Sequence, residues 1–322
     1  MPASRNVQSP KIPQPSNQHG VWRHMQLNPP GFAYSALPKR PQYTWRGGAR
    51  MAVYVTVNVE HFPYGVQSGP DLDRPTQPWG QRSWLWREYG NRIGAWRLLD
   101  LFDELELPVG VIANTAIYDH CPEVLGAHVK RGDELISHGR NQAERQIEMT
   151  LDQERVMIDE VTQRIARESG ARPVGWMSPY LTPSANTTEL IAKAGYSYCM
   201  DWGLCDEQPF WVKTADRDIL AMPYPIELND QPAVVYRRNT AAEYEEMLAD
   251  NFDELARRAE DYPLVFAISI HTFILGQPYR LTRFRRALQH ILRDRARLWV
   301  AKPQEIASYY ETLPPEVQLR AG

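Results

Sequence analysis

The stretch MAVYVTVNVEH, residues 51–61, runs from apolar, largely β-branched residues directly into polar side chains. Such a run is typical of a buried strand. Seven further runs of this kind follow, at VGVIAN (109–114), ELISH (134–138), VGWMS (174–178), YSYCMDW (196–202), DILAMP (218–223), LVFAISIH (264–271) and RLWVAK (297–302). The sequence therefore predicts seven or eight strands.

Amphipathic segments with apolar residues at three- and four-residue steps lie between these runs. They are RIGAWRLLDLFDEL (92–105), LDQERVMIDEVTQRIARES (151–169), EYEEMLADNFDELARRAE (243–260) and RFRRALQHILRD (283–294). Strands that alternate with helices indicate βα units around a parallel sheet. We expect an α/β fold, an irregular seven- or eight-stranded (β/α) barrel covered by helices.

The composition is that of an ordinary globular protein, with 43% hydrophobic and 23% charged residues in a chain of 322. A formal charge of −3 gives no electrostatic footprint for nucleic acid or an anionic membrane. The N-terminus is polar and proline-rich and lacks a signal-peptide core, so we expect a cytoplasmic protein. Three cysteines match neither a disulfide framework nor a zinc ribbon.

Residues 1–45 carry scattered Pro, Ser, Asn and Gln without an apolar period, which predicts an irregular extension that wraps a surface or serves an oligomer contact. Residues 46–315 form the predicted barrel, and residues 316–322 a short tail. The two longest insertions, 59–90 and 203–217, each follow a strand and are expected to be active-site loops.

Eight histidines are present, and solvated or packing roles suffice for His19, His24, His120, His128 and His290. His61, His138 and His271 fall at or just after strand ends, as do Asn58, Glu60, Asn114, Ser178, Asp201, Tyr224 and Lys302. Because the carboxyl ends of barrel strands converge on one mouth, these side chains predict an active site there. The alternative for each histidine is a hydrogen-bonded structural residue.

Glu60 is a candidate general base if desolvation holds its pKa near working pH. Its alternative role is an ion pair with Arg87 or Arg92. Between Trp84 and Trp96, two glycines suggest close backbone approach, and a helix beginning there would offer free N–H groups to a carbonyl or anion. An amphipathic helix with a glycine-rich start is the other interpretation.

A hydrolytic zinc needs about three protein ligands with one open position. The sequence contains no HxxxH or HExxH, and the residue four after His138 is Gln142, a poor zinc ligand. An improvised set of Glu60, His138 and His271 stays open. No GxSxG elbow, phosphate loop or dinucleotide fingerprint occurs in a fitting context, which leaves acid–base hydrolysis.

These strand ends, taken in order, resemble the polysaccharide-deacetylase superfamily, the family-four carbohydrate esterases, over residues 48–312. In that family the first strand ends in two aspartates, a base and a metal ligand, where this chain reads Asn58-Val59-Glu60-His61. Of the family's two metal-binding histidines only His138 remains, and the arginine expected before Pro179-Tyr180 is lost. The resemblance therefore implies the fold while arguing against metal-dependent deacetylation.

A subgroup is more similar, the allantoinases and cyclic imide hydrolases, which are regarded as working without a bound metal. The runs EYGNRIGAWR (88–97) and DEQPFW (206–211), Met222-Pro223-Tyr224, Asn229-Asp230, and His271 followed by Gly276-Gln277-Pro278 look like theirs. The surroundings of His138 and Ser178 do not, so the substrate stays open. The resemblance also implies a homo-oligomer.

Our hypothesis is a hydrolase of a small cyclic amide, imide or ureide that needs no cofactor, with zinc as the alternative. Glu60, assisted by His271, would activate water, while His138 and backbone N–H groups stabilise the oxyanion. The predicted substrate-binding residues are Asn58, His61, Tyr89, Arg92, Ser178, Tyr180, Trp202 and Tyr224. The alternatives are a metal-dependent polysaccharide N-deacetylase and a non-catalytic binding protein on the same barrel.

Overall fold

The computed structural model describes residues 31–66 and 80–320. The strands within these ranges are β1 (Met51–Val59), β2 (Val109–Ala113), β3 (Glu134–Ser137), β4 (Gly175–Trp176), β5 (Tyr198–Cys199), β6 (Phe210–Val212), β7 (Ile219–Ala221), β8 (Leu264–His271) and β9 (Leu298–Val300). They form one sheet in the order β6-β7-β5-β4-β3-β2-β1-β8, and β9 pairs with β1. Every pairing is parallel except that of β6 with β7.

The sheet curls until its two ends approach each other. The backbone N–H of Val265 in β8 donates to the carbonyl of Glu207, just before β6, at 2.8 Å. The Gln208 amide donates to the carbonyl of Pro263 at 2.7 Å. The predicted α/β barrel is thus confirmed.

All eight predicted strands are present, and β6 is an additional one. The prediction that residues 203–217 form a loop throughout was wrong at this point. The apolar run Phe210–Val212 is long enough to pair antiparallel with β7 in a hairpin. Three residues without clear alternation gave no strand signal in the sequence.

The helices of the described residues are α1 (Gln81–Tyr89), α2 (Ala95–Glu104), α3 (Ile117–His120), α4 (Pro122–Arg131), α5 (Leu151–Ser169), α6 (Thr187–Lys193), α7 (Ala241–Arg258), α8 (Thr272–Leu275), α9 (Pro278–Ile291) and α10 (Pro303–Thr312). Helix α5 spans the predicted segment and starts at a capping box of Thr150 and Gln153. Within these ranges, no helix is both long enough and apolar enough to cross a membrane.

The segment between α1 and α2 differs from the prediction. A π-helical turn over Gly90–Gly94 joins the two helices without a break, so no free helix N-terminus lies there. The expected close backbone approach is present, because a Cβ on Gly94 would overlap the carbonyl oxygen of Thr272 at the start of α8. The glycines therefore serve packing against α8.

Residues 31–45 pack onto the barrel. Trp45 is fully buried, and its Nε1–H donates to the carbonyl of Leu264 at 2.9 Å. Arg40 forms an ion pair with Asp206 at 2.6 Å. Residues 1–30, where most of the predicted oligomer contact falls, lie outside the described residues.

The barrel interior is apolar along the middle of the strands and polar at the carboxyl ends of the strands. Ile112, Ile136, Met222 and Ala267 belong to the interior cluster. Since side chains alternate along a strand, the residues two positions later point to the same side. Those residues are Asn114, His138, Tyr224 and Ser269. The strand period thus places a polar layer at the barrel mouth.

Candidate active site

Glu60 lies at the centre of this polar layer and is 8% exposed. Its Oε1 accepts a hydrogen bond from the Gln142 side-chain amide at 2.5 Å. The Nε2 atoms of His138 and His271 lie 3.4 Å and 3.7 Å from the same oxygen. The structure therefore brings together the three residues predicted to be catalytic. We call Glu60, His138, Gln142, Asp230 and His271 the Glu60 cluster.

Hydrogen bonds at Nδ1 determine which ring nitrogen of each imidazole points towards Glu60. The Nδ1 of His138 lies 2.8 Å from the carbonyl oxygen of Met177. A carbonyl only accepts, so Nδ1 carries the hydrogen. The Nδ1 of His271 lies 2.6 Å from Asp230 Oδ1 in the same way. Both rings consequently present Nε2 to the carboxylate.

Opposing influences set the charges of Glu60 and His271. Burial alone would raise the pKa of Glu60, but His271, His138 and Arg87 outweigh it and lower that pKa below 4.5. Burial alone would lower the pKa of His271, yet Glu60 and Asp230 raise it above 6.5. The expectation that desolvation holds the pKa of Glu60 near working pH was therefore wrong, because the neighbouring positive charges favour its carboxylate, and that carboxylate in turn favours protonated His271.

Arg87 also contributes to this electrostatic balance. Its guanidinium lies over the ring of Phe62, 4.2 Å from the centroid, and its charge helps to lower the pKa of Glu60. A cation on an aromatic face keeps its charge while shedding water.

A hydrogen-bonded network ties Asn58 to Tyr224. The Asn58 amide donates to Ser269 Oγ at 3.0 Å and to the carbonyl of Ile270 at 2.9 Å. The Tyr224 hydroxyl lies 2.8 Å from the same Ser269 oxygen and accepts from the Asn229 amide at 2.7 Å. Two predicted substrate-binding residues are thereby held by the end of β8.

Ser178 and Tyr180 lie on the loop after β4. The backbone N–H and hydroxyl of Ser178 donate to the carboxylate of Asp201 at 2.8 Å and 2.7 Å. Burial raises the pKa of Asp201 to about 6 against these hydrogen bonds. Tyr180 and Leu181 have φ of 57° and 54°, a conformation that is uncommon outside glycine and that clusters at functional sites.

Other predicted residues make their contacts elsewhere. Arg92 is 72% exposed and donates to Glu88 at 3.0 Å, because the uninterrupted helix carries it to the outer surface. The structure thus does not bring Arg92 into the Glu60 cluster. The Tyr89 hydroxyl bonds to Arg97, and Trp202 Nε1 donates to Thr188 at 2.9 Å.

His61 is half-buried and lies beside His120, for which the sequence predicted only a solvated or packing role. The rings of His61 and His120 are 4.9 Å apart between centroids, and His120 Nε2 lies 2.8 Å from Glu88 Oε2. Burial and His120 lower the pKa of His61. The backbone of His61 holds neighbouring loops, accepting from Gln142 N and donating to Asn114 Oδ1, both at 2.9 Å.

Sequence reasoning also missed the parts played by Asp230 and Gln142. Asp230 lies in no strand and is separated from His271 by 41 residues, so no local spacing links them. The only signal was its place in the resemblance. Gln142 was noticed as a poor metal ligand, whereas the structure shows it as a hydrogen-bond donor to Glu60.

The fold family implies a zinc ion, and the residues of the Glu60 cluster are its candidate ligands. Gln142 stands where a second metal-binding histidine would be, and its amide hydrogen points at Glu60 Oε1. A carboxylate oxygen engaged by that donor is a poor third ligand for a cation. Within residues 31–66 and 80–320, no three His, Cys, Asp or Glu side chains are arranged to hold a metal ion. The residues present do not fit zinc.

Comparison with known proteins gives several relatives, although no protein-family model matches the chain. A Schizosaccharomyces pombe protein, named provisionally as a polysaccharide deacetylase, is 26% identical over 84% of this chain and 88% of its own. A Pseudomonas aeruginosa PAO1 structure, described as a probable polysaccharide deacetylase, is 28% identical with a TM-score of 0.74, covering 84% of this chain and 94% of that one.

The structure of Puue allantoinase is also similar, with 25% identity and a TM-score of 0.76. The alignment covers 94% of this chain and 99% of that one. These likenesses extend over most of the barrel and agree with its strand-end pattern. In sequence and in fold, the chain resembles the polysaccharide-deacetylase superfamily.

Proposed function

We propose that this protein hydrolyses a carbon–nitrogen bond of a small cyclic amide, imide or ureide, and that it does so without an obligatory metal. One observation carries the proposal. The carboxylate of Glu60 is held by an amide donor where the fold family places a metal ligand, and two imidazole Nε2 atoms face it. That arrangement suits acid–base chemistry between side chains.

The coarser activity rests on the relatives. Proteins named as deacetylases and as an allantoinase cleave carbon–nitrogen bonds other than peptide bonds. This chain is a hydrolase of the same kind. The finer assignment to a small ring depends on its own site.

Glu60 and His271 can divide the proton transfers between them. Glu60 takes a proton from water as the water oxygen bonds to the carbonyl carbon. The imidazolium of His271 first faces the developing oxyanion and then gives its Nε2 proton to the leaving nitrogen as the carbon–nitrogen bond breaks. Proton transfer from Glu60 to His271, whose atoms are 3.7 Å apart, restores both groups.

His138 has a narrower role than the sequence suggested. Its Nδ1 hydrogen is used on the carbonyl of Met177, so its Nε2 can donate to an oxyanion only when the ring is protonated. We assign His138 to stabilising the Glu60 carboxylate, whose pKa it helps to lower when the ring is protonated.

The chemistry favours a reactive carbonyl. Without a Lewis acid, hydrolysis of an unactivated acetamide forgoes several kcal/mol of charge stabilisation. The carbonyl of a strained imide or a ureide is more electrophilic and needs less help. Burial of the catalytic groups, each less than a tenth exposed, also suits a small ligand.

A sugar amide is the second candidate, because several relatives are named as polysaccharide or peptidoglycan deacetylases. It requires an open groove for a polymer and a metal site made from other groups. The enclosed carboxylate and its amide partner count against both requirements.

The test joins metal analysis to an assay. Metal content of the purified protein is measured by elemental mass spectrometry, and hydrolysis of allantoin, hydantoin, succinimide and an N-acetylglucosamine oligomer is followed with and without chelator. We expect ring opening that is insensitive to chelator. Near-stoichiometric zinc with chelator-sensitive release of acetate would overturn the proposal, and binding without any turnover would favour a non-catalytic barrel.

A further inference from the structure

Asn114 lies at the barrel mouth, and neither the Glu60 cluster nor the proposed chemistry includes it. It follows β2, which lies between β1 and β3 in the sheet. The strand registers place the residues that follow β1, β2 and β3, namely Glu60, Asn114 and His138, level with one another. Because only the middle strand borders both of its neighbours, the residue at its end can contact both adjoining loops.

The side chain of Asn114 joins these two loops. Its Oδ1 accepts a hydrogen bond from the backbone N–H of His61 at 2.9 Å, and its Nδ2 donates to the backbone carbonyl of His138. A backbone N–H only donates and a carbonyl only accepts, so this orientation of the amide is the one that satisfies both partners. The side chain is fully buried, and the loss of either bond would leave a buried polar group unpaired.

The bridge connects the loops that carry the facing side chains of Glu60 and His138. His61 directly follows Glu60, so the hydrogen bond to its N–H holds the main chain at the carboxyl side of Glu60. The bonded carbonyl on the other side belongs to His138 itself. Since His138 Nε2 lies 3.4 Å from Glu60 Oε1, a displacement of either loop by about 1 Å would break their contact.

Two backbone hydrogen bonds also tie the same loops. Thr115 N donates to the carbonyl of Gly139 at 3.2 Å, and Gln142 N donates to the carbonyl of His61 at 2.9 Å. They act on carbonyl groups that follow Glu60 and His138 along the chain. We therefore expect the loss of the Asn114 amide to displace the two facing side chains while the barrel stays folded.

We propose that Asn114 is a positioning residue, whose amide sets the distance between Glu60 and His138 by holding both loops to the end of β2. The kinetic consequence rests on the proposed function, in which Glu60 is the base and His138 stabilises its carboxylate. The geometric part does not depend on that reaction. A misplacement of about 1 Å in a catalytic site can lower the rate by about a hundredfold.

Asn114→Leu removes both hydrogen bonds and keeps the approximate size of the side chain. On a ring substrate we expect kcat to fall by about tenfold to a hundredfold. KM should change little, because the Asn114 amide is used on the protein backbone and not on the substrate. A rise in KM with kcat unchanged would make Asn114 a substrate-binding residue and overturn the positioning role.

Gln208→Leu is the matched control. Gln208 is 1% exposed, and its amide forms the same kind of bridge, accepting from Arg40 at 3.2 Å and donating to the carbonyl of Pro263 at 2.7 Å. Pro263 precedes β8, at the opposite end of that strand from His271. We expect a similar loss of stability in urea unfolding, with kcat close to that of the wild type. Equal losses of kcat in the two variants would reduce Asn114 to structural support.

Asn114→Asp restores the bridge only while its new carboxyl group is protonated. The neutral acid keeps an oxygen for the N–H of His61 and offers an O–H to the carbonyl of His138, whereas the carboxylate sets an oxygen against that carbonyl. We expect kcat of this variant, divided by that of the wild type, to rise as pH falls, and the same ratio for Asn114→Leu to stay flat. A flat ratio in both variants, or an Asn114→Asp protein that stays unfolded in acid, would overturn the proposal.

A titration of Glu60 tests the geometry without turnover. The carboxyl carbons of glutamate are isotope-labelled for NMR, and the Glu60 signal is identified by its absence from Glu60→Gln. Although burial raises the pKa of Glu60, His271 and His138 lower it below 4.5, so that pKa should rise in Asn114→Leu and stay in place in Gln208→Leu. An unmoved pKa would overturn the positioning role and leave the ring hydrolase standing. A raised pKa in a protein that opens none of the rings would uphold the positioning role and end the hydrolase proposal.

Discussion

Asp230 accepts two hydrogen bonds from His271, one from the backbone N–H at 2.8 Å and one from Nδ1–H at 2.6 Å. The pair fixes the imidazole at the end of β8 and aims Nε2 at Glu60. Asp230 is fully buried, and its charge helps to raise the pKa of His271. Asp230 is thus a positioning residue for the acid that we assign.

Replacement of Asp230 tests that role through pH. His271 must be protonated to act as the acid, and its raised pKa extends activity above pH 6.5. Asp230→Asn keeps an acceptor but removes the charge, so the alkaline limb of the kcat profile should move to lower pH. We expect kcat near neutral pH to fall by roughly tenfold to a hundredfold.

The matched control is Asp253→Asn, which alters an exposed aspartate paired with His290 at 2.8 Å. Its profile should match that of the wild type. A loss in Asp230→Asn that is equal at every pH would contradict the electrostatic role and leave a merely structural one.

Glu60→Gln tests the base itself. The amide cannot accept a proton from water, and we expect turnover to fall by about a hundredfold or more with the fold intact. Steady-state assays on a ring substrate, with circular dichroism as the check on folding, measure both. Glu254→Gln, at an exposed helical site, serves as control. If Glu60→Gln kept a tenth or more of the activity, another group would have to be the base.

The sequence predicted the strands and the mouth of the barrel because both depend on local pattern. Apolar runs identify buried strands. Because side chains two positions apart in a strand point to the same side, His138 points to the same side as Ile136, and Tyr224 to the same side as Met222. The sequence therefore predicted that these residues share one site, although it did not show how the strands are connected. The same reasoning explains why Glu60, Asn58 and His271 share one site.

What the sequence could not supply depends on partners distant along the chain. Asp230 contacts His271 over 41 positions of the chain, and the Gln142 hydrogen bond to Glu60 spans 82 positions. Arg92 was misjudged because a helix was expected to begin between Trp84 and Trp96, whereas packing against α8 makes the helix continuous there. Packing against α8, and not the helix propensity of the local sequence, determines the conformation of the segment Gly90–Gly94.

Gly94→Ala measures this packing. The added methyl would overlap the carbonyl of Thr272, and we expect unfolding free energy to fall by about 1–3 kcal/mol or more. Activity should fall too, since Thr272 follows His271. Gly126→Ala lies at an exposed position of α4, where the added methyl meets nothing within 4 Å, and it should be neutral or stabilising by up to about 1 kcal/mol. Equal effects of the two in urea unfolding would refute the close approach.

A buried acid at the other end of the barrel makes stability depend on pH. Glu134 is 4% exposed and accepts from the Tyr198 hydroxyl at 2.5 Å and from Gln304 N at 2.7 Å. Burial raises its pKa to about 7 in spite of these hydrogen bonds. Between its ordinary value of 4.5 and about 7, the folded state holds a proton that the unfolded state has lost. Stability should therefore fall as pH rises through that window.

Glu134→Gln removes the titration while keeping the size of the side chain. Other groups, such as Asp201, titrate alike in both proteins and cancel in the comparison. From pH 5 to pH 8 the difference in unfolding free energy should shift in favour of the variant by about 2–3 kcal/mol, less than the full value of the pKa shift because part of the titration window lies below pH 5. Urea unfolding at the two pH values gives the result. A difference that stays constant would mean that Glu134 is already ionised at pH 5, and that burial does not govern its charge.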